Sequence, residues 1–415
     1  MHLRSFSSYF VFNVLSALLP IVTLPLFTRY LTPADYGVLA IFNIVAMFAG
    51  SFFRLELNSA LKREYVEGFG TFSRYVSTAF AFSHFLLLLC ALVLLLLMPW
   101  MHAFHGIGVQ WYFVVLLLAY LRFHTVCLHH LFQLSNRAVL FGAWGLVATV
   151  VTFGLAIWLM IYLGWGWQAR AWAEVFVAVV AFPIAIYFLR RDYALKWHFD
   201  IASLKKMLRF SSPLLLTSML GYVLISADRL FIAEMVGPQE LGLYTVAVQL
   251  SSAMGMFLGA IVPTWESWIY TSQGGVHRQN ARKVLHRFFS LVAVLLVLAA
   301  VLPTLLNLVL PYMTGKSFSG ADAYLAPTVA AATSAGVFGL LSPILIFMRK
   351  TPVVASINVL MVLINFGCLY VFIGVWGAVG AAYAMTLSYA IGSALMLFFV
   401  IRFSDAKFED IFTVR

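Results

Sequence analysis

The sequence predicts an all-α membrane protein of twelve transmembrane helices, in two parallel six-helix bundles related by a pseudo-twofold axis along the membrane normal. Three observations carry that reading: the composition, the recurrence of long apolar runs, and the alternation of basic residues between loops. Of the 415 residues, 63% are hydrophobic and 10% charged, with a mean hydropathy of +0.97. Soluble globular chains run near ~45–50% apolar and ~25% charged, so this chain falls outside them. Each apolar run of about 20 residues is long enough to cross ~30 Å of hydrocarbon. At that depth backbone polar groups must be met within the chain, which requires helices; the ~10-residue alternating strands of a barrel are absent from the pattern.

The spans fall near 9–30, 36–57, 76–99, 110–134, 139–163, 168–189, 212–236, 241–271, 287–312, 324–348, 353–374 and 378–401. The first run, Tyr9 to Tyr30, is too long for a signal-peptide core and lacks a small-residue cleavage site after it. Alternating the loops collects on one side Arg4, Lys62, Arg63, Arg74, Arg137, Arg190, Arg191, Lys196, Lys205, Lys206 and Arg209. The same side takes Arg278, Arg282, Lys283, Arg287, Arg349, Lys350, Arg402, Lys407 and Arg415, making 20 of the 26 basic residues. The other side holds Arg29 and Arg170 at span edges, and Lys316. This bias predicts cytoplasmic N- and C-termini, and it makes the net charge of +11 a topology signal rather than a nucleic-acid footprint. Trp100, Trp111, Trp165, Trp167 and Trp376 flank the short outer turns as aromatic anchors, and Trp265 and Trp268 mark the inner end of the eighth span. Cys90, Cys127 and Cys368 all fall inside spans and read as small apolar residues.

A repeat divides the chain. Leu31-Thr32-Pro33-Ala34-Asp35-Tyr36-Gly37-Val38 corresponds to Val236-Gly237-Pro238-Gln239-Glu240-Leu241-Gly242-Leu243, at an offset of 205 residues. Each segment lies between the first and second span of its half. Its chemistry is helix initiation: Thr32 or Gly237 as N-cap, proline at N1, and Asp35 or Glu240 facing the positive helix end. Any tight turn between helices also converges on such a pattern. A weaker match joins Gly166–Ala171 to Gly377–Ala382. Two parallel sets of six spans are an arrangement of secondary transporters. The expected division is 1–205, six helices plus a basic cytoplasmic linker, and 206–415, the second six.

These residues resemble a known family. Leu24-Pro25-Leu26-Phe27-Thr28-Arg29-Tyr30-Leu31 and Pro33–Gly37 in the first half, with Ala227-Asp228-Arg229-Leu230-Phe231-Ile232 and Gly237–Tyr244 in the second, look like the bacterial polysaccharide flippases of O-antigen and related pathways. Arg54–Leu57 and Ala60–Tyr65 are similar to the end of the second span in those proteins. That family belongs with the multidrug and toxin extruders and the peptidoglycan-precursor flippases. The resemblance implies translocation of an undecaprenyl-diphosphate-linked oligosaccharide between leaflets of the bacterial inner membrane. It also implies alternating access between the bundles, coupling to a proton or sodium gradient, and polysaccharide assembly proteins as partners.

A carrier of an anionic diphosphate needs cations in a hydrated cavity, and charges at bilayer depth are costly enough to require a partner or a cavity. Arg122 lies midway along the fourth span; substrate binding there competes with a salt bridge to Glu174 or Asp228. Arg229 is a second substrate-binding candidate. Asp228 beside it, diverging by ~100° around the helix, is a candidate for coupling or gating. Glu174 is a proton or cation site, or a static partner of Arg122 or Arg170. Arg54 meets the diphosphate or lies in the headgroup zone with Glu56, and Glu266 has the same ambiguity. Pro20 and Pro25 make the first helix either a hinge or a fixed kink. His124, His129 and His130 lack ligand spacing, His102 and His105 read as solvated, and no cofactor or metal is implied. Competing classes are a drug or cation antiporter of the same superfamily, a major facilitator, and a membrane enzyme. The loop from Asn58 to Arg74 lacks the Asp-Arg-x-Gly-Arg run of major facilitators, and no catalytic loop or nucleotide motif supports an enzyme.

Overall fold

The computed structural model describes residues 3–67, 71–102, 104, 106–193, 195–196, 198–271 and 278–403. Lys407, Arg415 and His105 lie outside them. The chain separates into two units, Met1–Tyr222 and Val223–Arg415. The described elements are thirteen α-helices with two short 3-10 turns, and apart from an isolated bridge between Phe104 and Ile107 no extended pairing occurs among them.

In the first unit, α1 (Leu3–Tyr30), α2 (Pro33–Arg54), α4 (Phe72–Leu97), α5 (Gln110–Leu134), α6 (Ala138–Leu163) and α7 (Gln168–Tyr193) fall on the six expected spans. Among the described residues eleven helices of the chain are long and apolar enough to cross a membrane, and α1 adds the apolar segment Leu18–Tyr30. The protein is a multi-pass membrane protein. An element the span pattern did not predict is α3 (Leu57–Glu67), eleven residues with a polar face. It is too short and too charged to cross, and packs on α4 and α5 through Leu57, Ala60 and Leu61.

The predicted helix start at Thr32 forms a full capping box. The Asp35 amide donates to Thr32 Oγ1 at 3.1 Å, and the Thr32 amide donates to Asp35 Oδ2 at 3.3 Å. α2 then ends on Leu55 and Glu56, both left-handed at φ 47° and 54°, which turns the chain into α3. α1 packs along α6, α2 along α5, and α5 and α6 both against α7. The core between them is aromatic, with Phe42, Phe53, Phe123 and Phe132 buried.

Two of the expected outer anchors belong to that core. Trp111 and Trp167 are 7% and 5% exposed and lie 4.7 Å apart, with Phe42 against both. Trp100, Trp165 and Trp376 are exposed, as anchors require. Packing across three helix ends drew the first pair inward, which position in a sequence cannot reveal.

α8 (Ile201–Met235) carries the chain from the first unit into the second. The second unit adds α9 (Pro238–Thr271), α10 (Arg278–Met313), α11 (Asp322–Phe347), α12 (Thr351–Trp376) and α13 (Val379–Phe403). α11 is its centre, packed on α9, α10 and α13, while α12 lies against α13. Its core contains Met254, Trp265, Phe288, Leu340, Ile344, Met361 and Met396. A Cβ on Gly380 would stand 2.1 Å from the Phe372 carbonyl oxygen, so the α12–α13 turn has room only for glycine there.

Candidate functional site

The first unit brings three charges together between two of its long apolar helices, α5 and α7. α5 presents Arg122 and α7 presents Glu174, whose Oε2 accepts from Arg122 Nη2 at 2.7 Å. One helical turn back on α7, Arg170 Nη1 lies 3.1 Å from Glu174 Oε1. That N–H is out of line for a hydrogen bond and has no other acceptor. The Arg170 guanidinium also stacks 4.3 Å from the Phe153 ring centroid, a favourable cation–π contact when desolvated. The sequence puts Arg170 at a span edge. Arg170 is also one of the two partners expected for Glu174, at i,i+4 on the same helix.

The three side chains border a cavity of about 260 Å³ between α5, α6 and α7, with Thr125, Thr149 and Thr152 on its wall. Glu174 is only 7% exposed, whereas the Arg122 side chain keeps 38% of its surface open. The group carries two cations and one anion, so a carboxylate locked between guanidiniums leaves an excess positive charge. Of the two partners foreseen for Arg122, Glu174 is the one it meets.

In the second unit Asp228 on α8 is buried, and its Oδ2 accepts from the Tyr244 hydroxyl of α9 at 2.8 Å. Oδ1 accepts from the Arg229 amide at 2.8 Å. Arg229 Nε is buried without a hydrogen-bond partner. Nearby, Glu240 of the repeat accepts from the Tyr324 hydroxyl of α11 instead of closing a capping box like that of Asp35.

The remaining candidates are dispersed. Arg54 ends α2, half-buried, with its guanidinium over Gly50, where a Cβ would stand 3.2 Å from Nη1. Glu56 accepts from Ser59 at 3.0 Å. On α3, burial holds the Lys62 ammonium below its usual range, opposed by the neighbouring Glu56 carboxylate. Glu266 is exposed. α1 continues as one helix through Pro20 and Pro25. His124 is fully buried with its Nδ1 against the Tyr120 carbonyl at 3.0 Å, and His129 stacks on Phe141 at 4.0 Å. Among the described residues no cluster of His, Cys, Asp or Glu is placed to hold a metal.

Comparison with solved structures places the fold among flippases and transporters. A lipid II flippase, MurJ, in an inward closed conformation shares 15% identity over 97% of this chain and 88% of its own, with a TM-score of 0.75. An inward-facing multidrug resistance transporter of the MATE family and the MOP superfamily shares 16% identity over 94% and 95%, with a TM-score of 0.59. A MATE transporter from Vibrio cholerae shares 15% identity over 96% and 93%, with a TM-score of 0.58. At these identities the likeness is one of fold. No curated protein matches the sequence. The family described as polysaccharide biosynthesis protein matches residues 26–320, most of the length, and the chain belongs to that family.

Proposed function

We propose that the protein is a flippase that moves undecaprenyl-diphosphate-linked oligosaccharide repeat units from the inner to the outer leaflet of the bacterial inner membrane, its termini cytoplasmic. The carrying observation is the net-positive cluster of Arg122, Arg170 and Glu174 on a cavity between the apolar helices α5, α6 and α7, in a chain of the polysaccharide biosynthesis family. Charge within membrane-spanning helices is retained where it meets a partner or a polar cargo. A diphosphate is such a cargo, and Arg122, with its open face, is the group that meets it. Arg54 and Arg229 are further contacts on the path.

Alternating access between the halves 1–205 and 206–415 moves the site between leaflets, with Pro20 and Pro25 as the hinge of α1. Glu174 and Asp228 are the groups that couple it to a proton or sodium gradient. Sugar-assembly proteins of the same pathway supply the cargo and take the product.

The cationic excess also weighs against the second reading, a drug antiporter of the same superfamily, whose cationic cargo calls for acidic cavities. The test is a deletion strain carrying either the wild-type gene or Arg122→Gln. The expected result is intact lipid-linked repeat units accumulating at the cytoplasmic face, restored by the wild type and at least tenfold less by the variant. Normal surface polysaccharide with altered drug resistance in the deletion strain overturns the proposal in favour of the antiporter.

A further inference from the structure

On α7, Phe182, Ile186 and Arg190 follow at i, i+4 and i+8 and form one ridge. A hollow lies on each side of it, and both are lined by these three residues. The first, about 560 Å³, is closed by Phe80 and Ala81 of α4, Tyr120 of α5, and Lys196. The second, about 600 Å³, is bordered by Pro183, Tyr187 and Arg191. The wall bearing Lys196 is fixed to α4, because the Lys196 amide donates to Ser77 Oγ at 3.0 Å and the Asp200 amide to Thr78 Oγ1 at 3.1 Å.

The charges at the mouth are unequal. Asp192 pairs with Arg191 at 3.0 Å and with Arg137. Arg190 and Lys196 form no ion pair among the described residues, and both are exposed. Basic residues at the inner ends of spans are general, so their presence alone signifies little. What sets this place apart is two apolar hollows that meet at one unpaired guanidinium.

We propose that this is a binding site for a two-chain anionic phospholipid of the inner leaflet. The phosphate lies between Arg190 and Lys196, and one acyl chain runs down each side of the Phe182–Ile186 ridge. Basic pockets between transmembrane helices on the cytoplasmic side take such headgroups. A single-chain polyprenyl phosphate would fill one hollow and leave the other to bulk lipid, so the paired hollows select a diacyl lipid. The site is separate from the Arg122 cavity, and the assignment does not depend on what that cavity carries; only the leaflet rests on the loop-charge orientation.

The test uses the full chain in bilayers containing spin-labelled phosphatidylglycerol or phosphatidylcholine, read as the motionally restricted fraction of label. Each cation near the surface contributes roughly fivefold in affinity. Phosphatidylglycerol is therefore expected to be preferred by at least that factor. The double variant Arg190→Gln, Lys196→Gln should abolish the preference, while the equally exposed pair Lys205→Gln, Arg209→Gln on α8 leaves it. Equal losses from both pairs would mean diffuse surface attraction and overturn the site. Ala81→Phe, which fills the first hollow, should lower the preference, and Ala81→Ser, which hardly changes volume, should retain it. Undecaprenyl phosphate displacing the label as well as unlabelled phosphatidylglycerol does would overturn the two-chain assignment.

Discussion

The two units stabilise acids that are buried or half-buried in opposite ways. The first holds Glu174 between Arg122 and Arg170, charge against charge. The second holds Asp228 and Glu240 with the hydroxyls of Tyr244 and Tyr324, a neutral donor for each carboxylate. The difference matters because a guanidinium can change partners for a phosphate, whereas a buried tyrosine hydroxyl offers an anion only one hydrogen bond. A cavity that exchanges anions therefore belongs with the first arrangement, and a latch that holds helices together belongs with the second.

The largest effect that could break this contrast is expected from Glu174→Ala. It leaves two guanidiniums facing each other without a counter-ion. Removing one partner of a buried pair costs ~3–5 kcal/mol, and the open face of Arg122 puts the expected loss near the lower end. Thermal unfolding of the detergent-solubilised protein measures it. The double variant Glu174→Ala, Arg122→Met should recover part of the loss, and no recovery would show that the pair is not coupled.

Next comes Tyr244→Phe, which removes a hydroxyl from a fully buried ring and leaves Asp228 Oδ2 without its donor. A hydrogen bond to a charged group contributes roughly 1.5–3 kcal/mol, so a loss of about 2 kcal/mol is expected in the same unfolding measurement. If Asp228 is instead held electrostatically by Arg229, Tyr244→Phe will be nearly silent and Arg229→Gln will carry the loss.

The contrast was partly legible in the sequence. Apolar run length and loop charge suffice to find twelve long helices, because the bilayer imposes one dominant length and one charge asymmetry. α3 escaped because a short helix with a polar face follows neither rule. Glu174 was foreseen as a partner of Arg122, since few countercharges occur at that depth. Arg170, placed at a span edge, was foreseen as the other partner of Glu174, because their i,i+4 spacing puts both on one helix face. The hydroxyls on Asp228 and Glu240 were not foreseen: tyrosine is common in this chain and nothing in its spacing tells a donor from a packing ring. Trp111 and Trp167 failed as anchors for the same reason, since only the meeting of α2, α5 and α7 decides that they are buried.

The smallest effect separates the two copies of the repeat. Both helix starts pair an N-cap with proline at N1, yet Thr32 caps with its side chain while Gly237 stands at φ 122°, where L residues are strained. Exchanging the caps should therefore be unequal. Thr32→Gly loses the hydroxyl acceptor for the Asp35 amide but keeps an accessible backbone, at a cost of a few tenths of a kcal/mol. Gly237→Thr must force a β-branched residue to positive φ, at about 1–2 kcal/mol. Its new hydroxyl recovers at most the bond from the Glu240 amide, because the Glu240 carboxylate that would close the reciprocal half of a capping box already accepts from Tyr324. Unfolding of the two single variants side by side measures the inequality. Equal costs would mean that the second start can relax to the geometry of the first, and that the two copies differ in residue type but not in the conformation each requires.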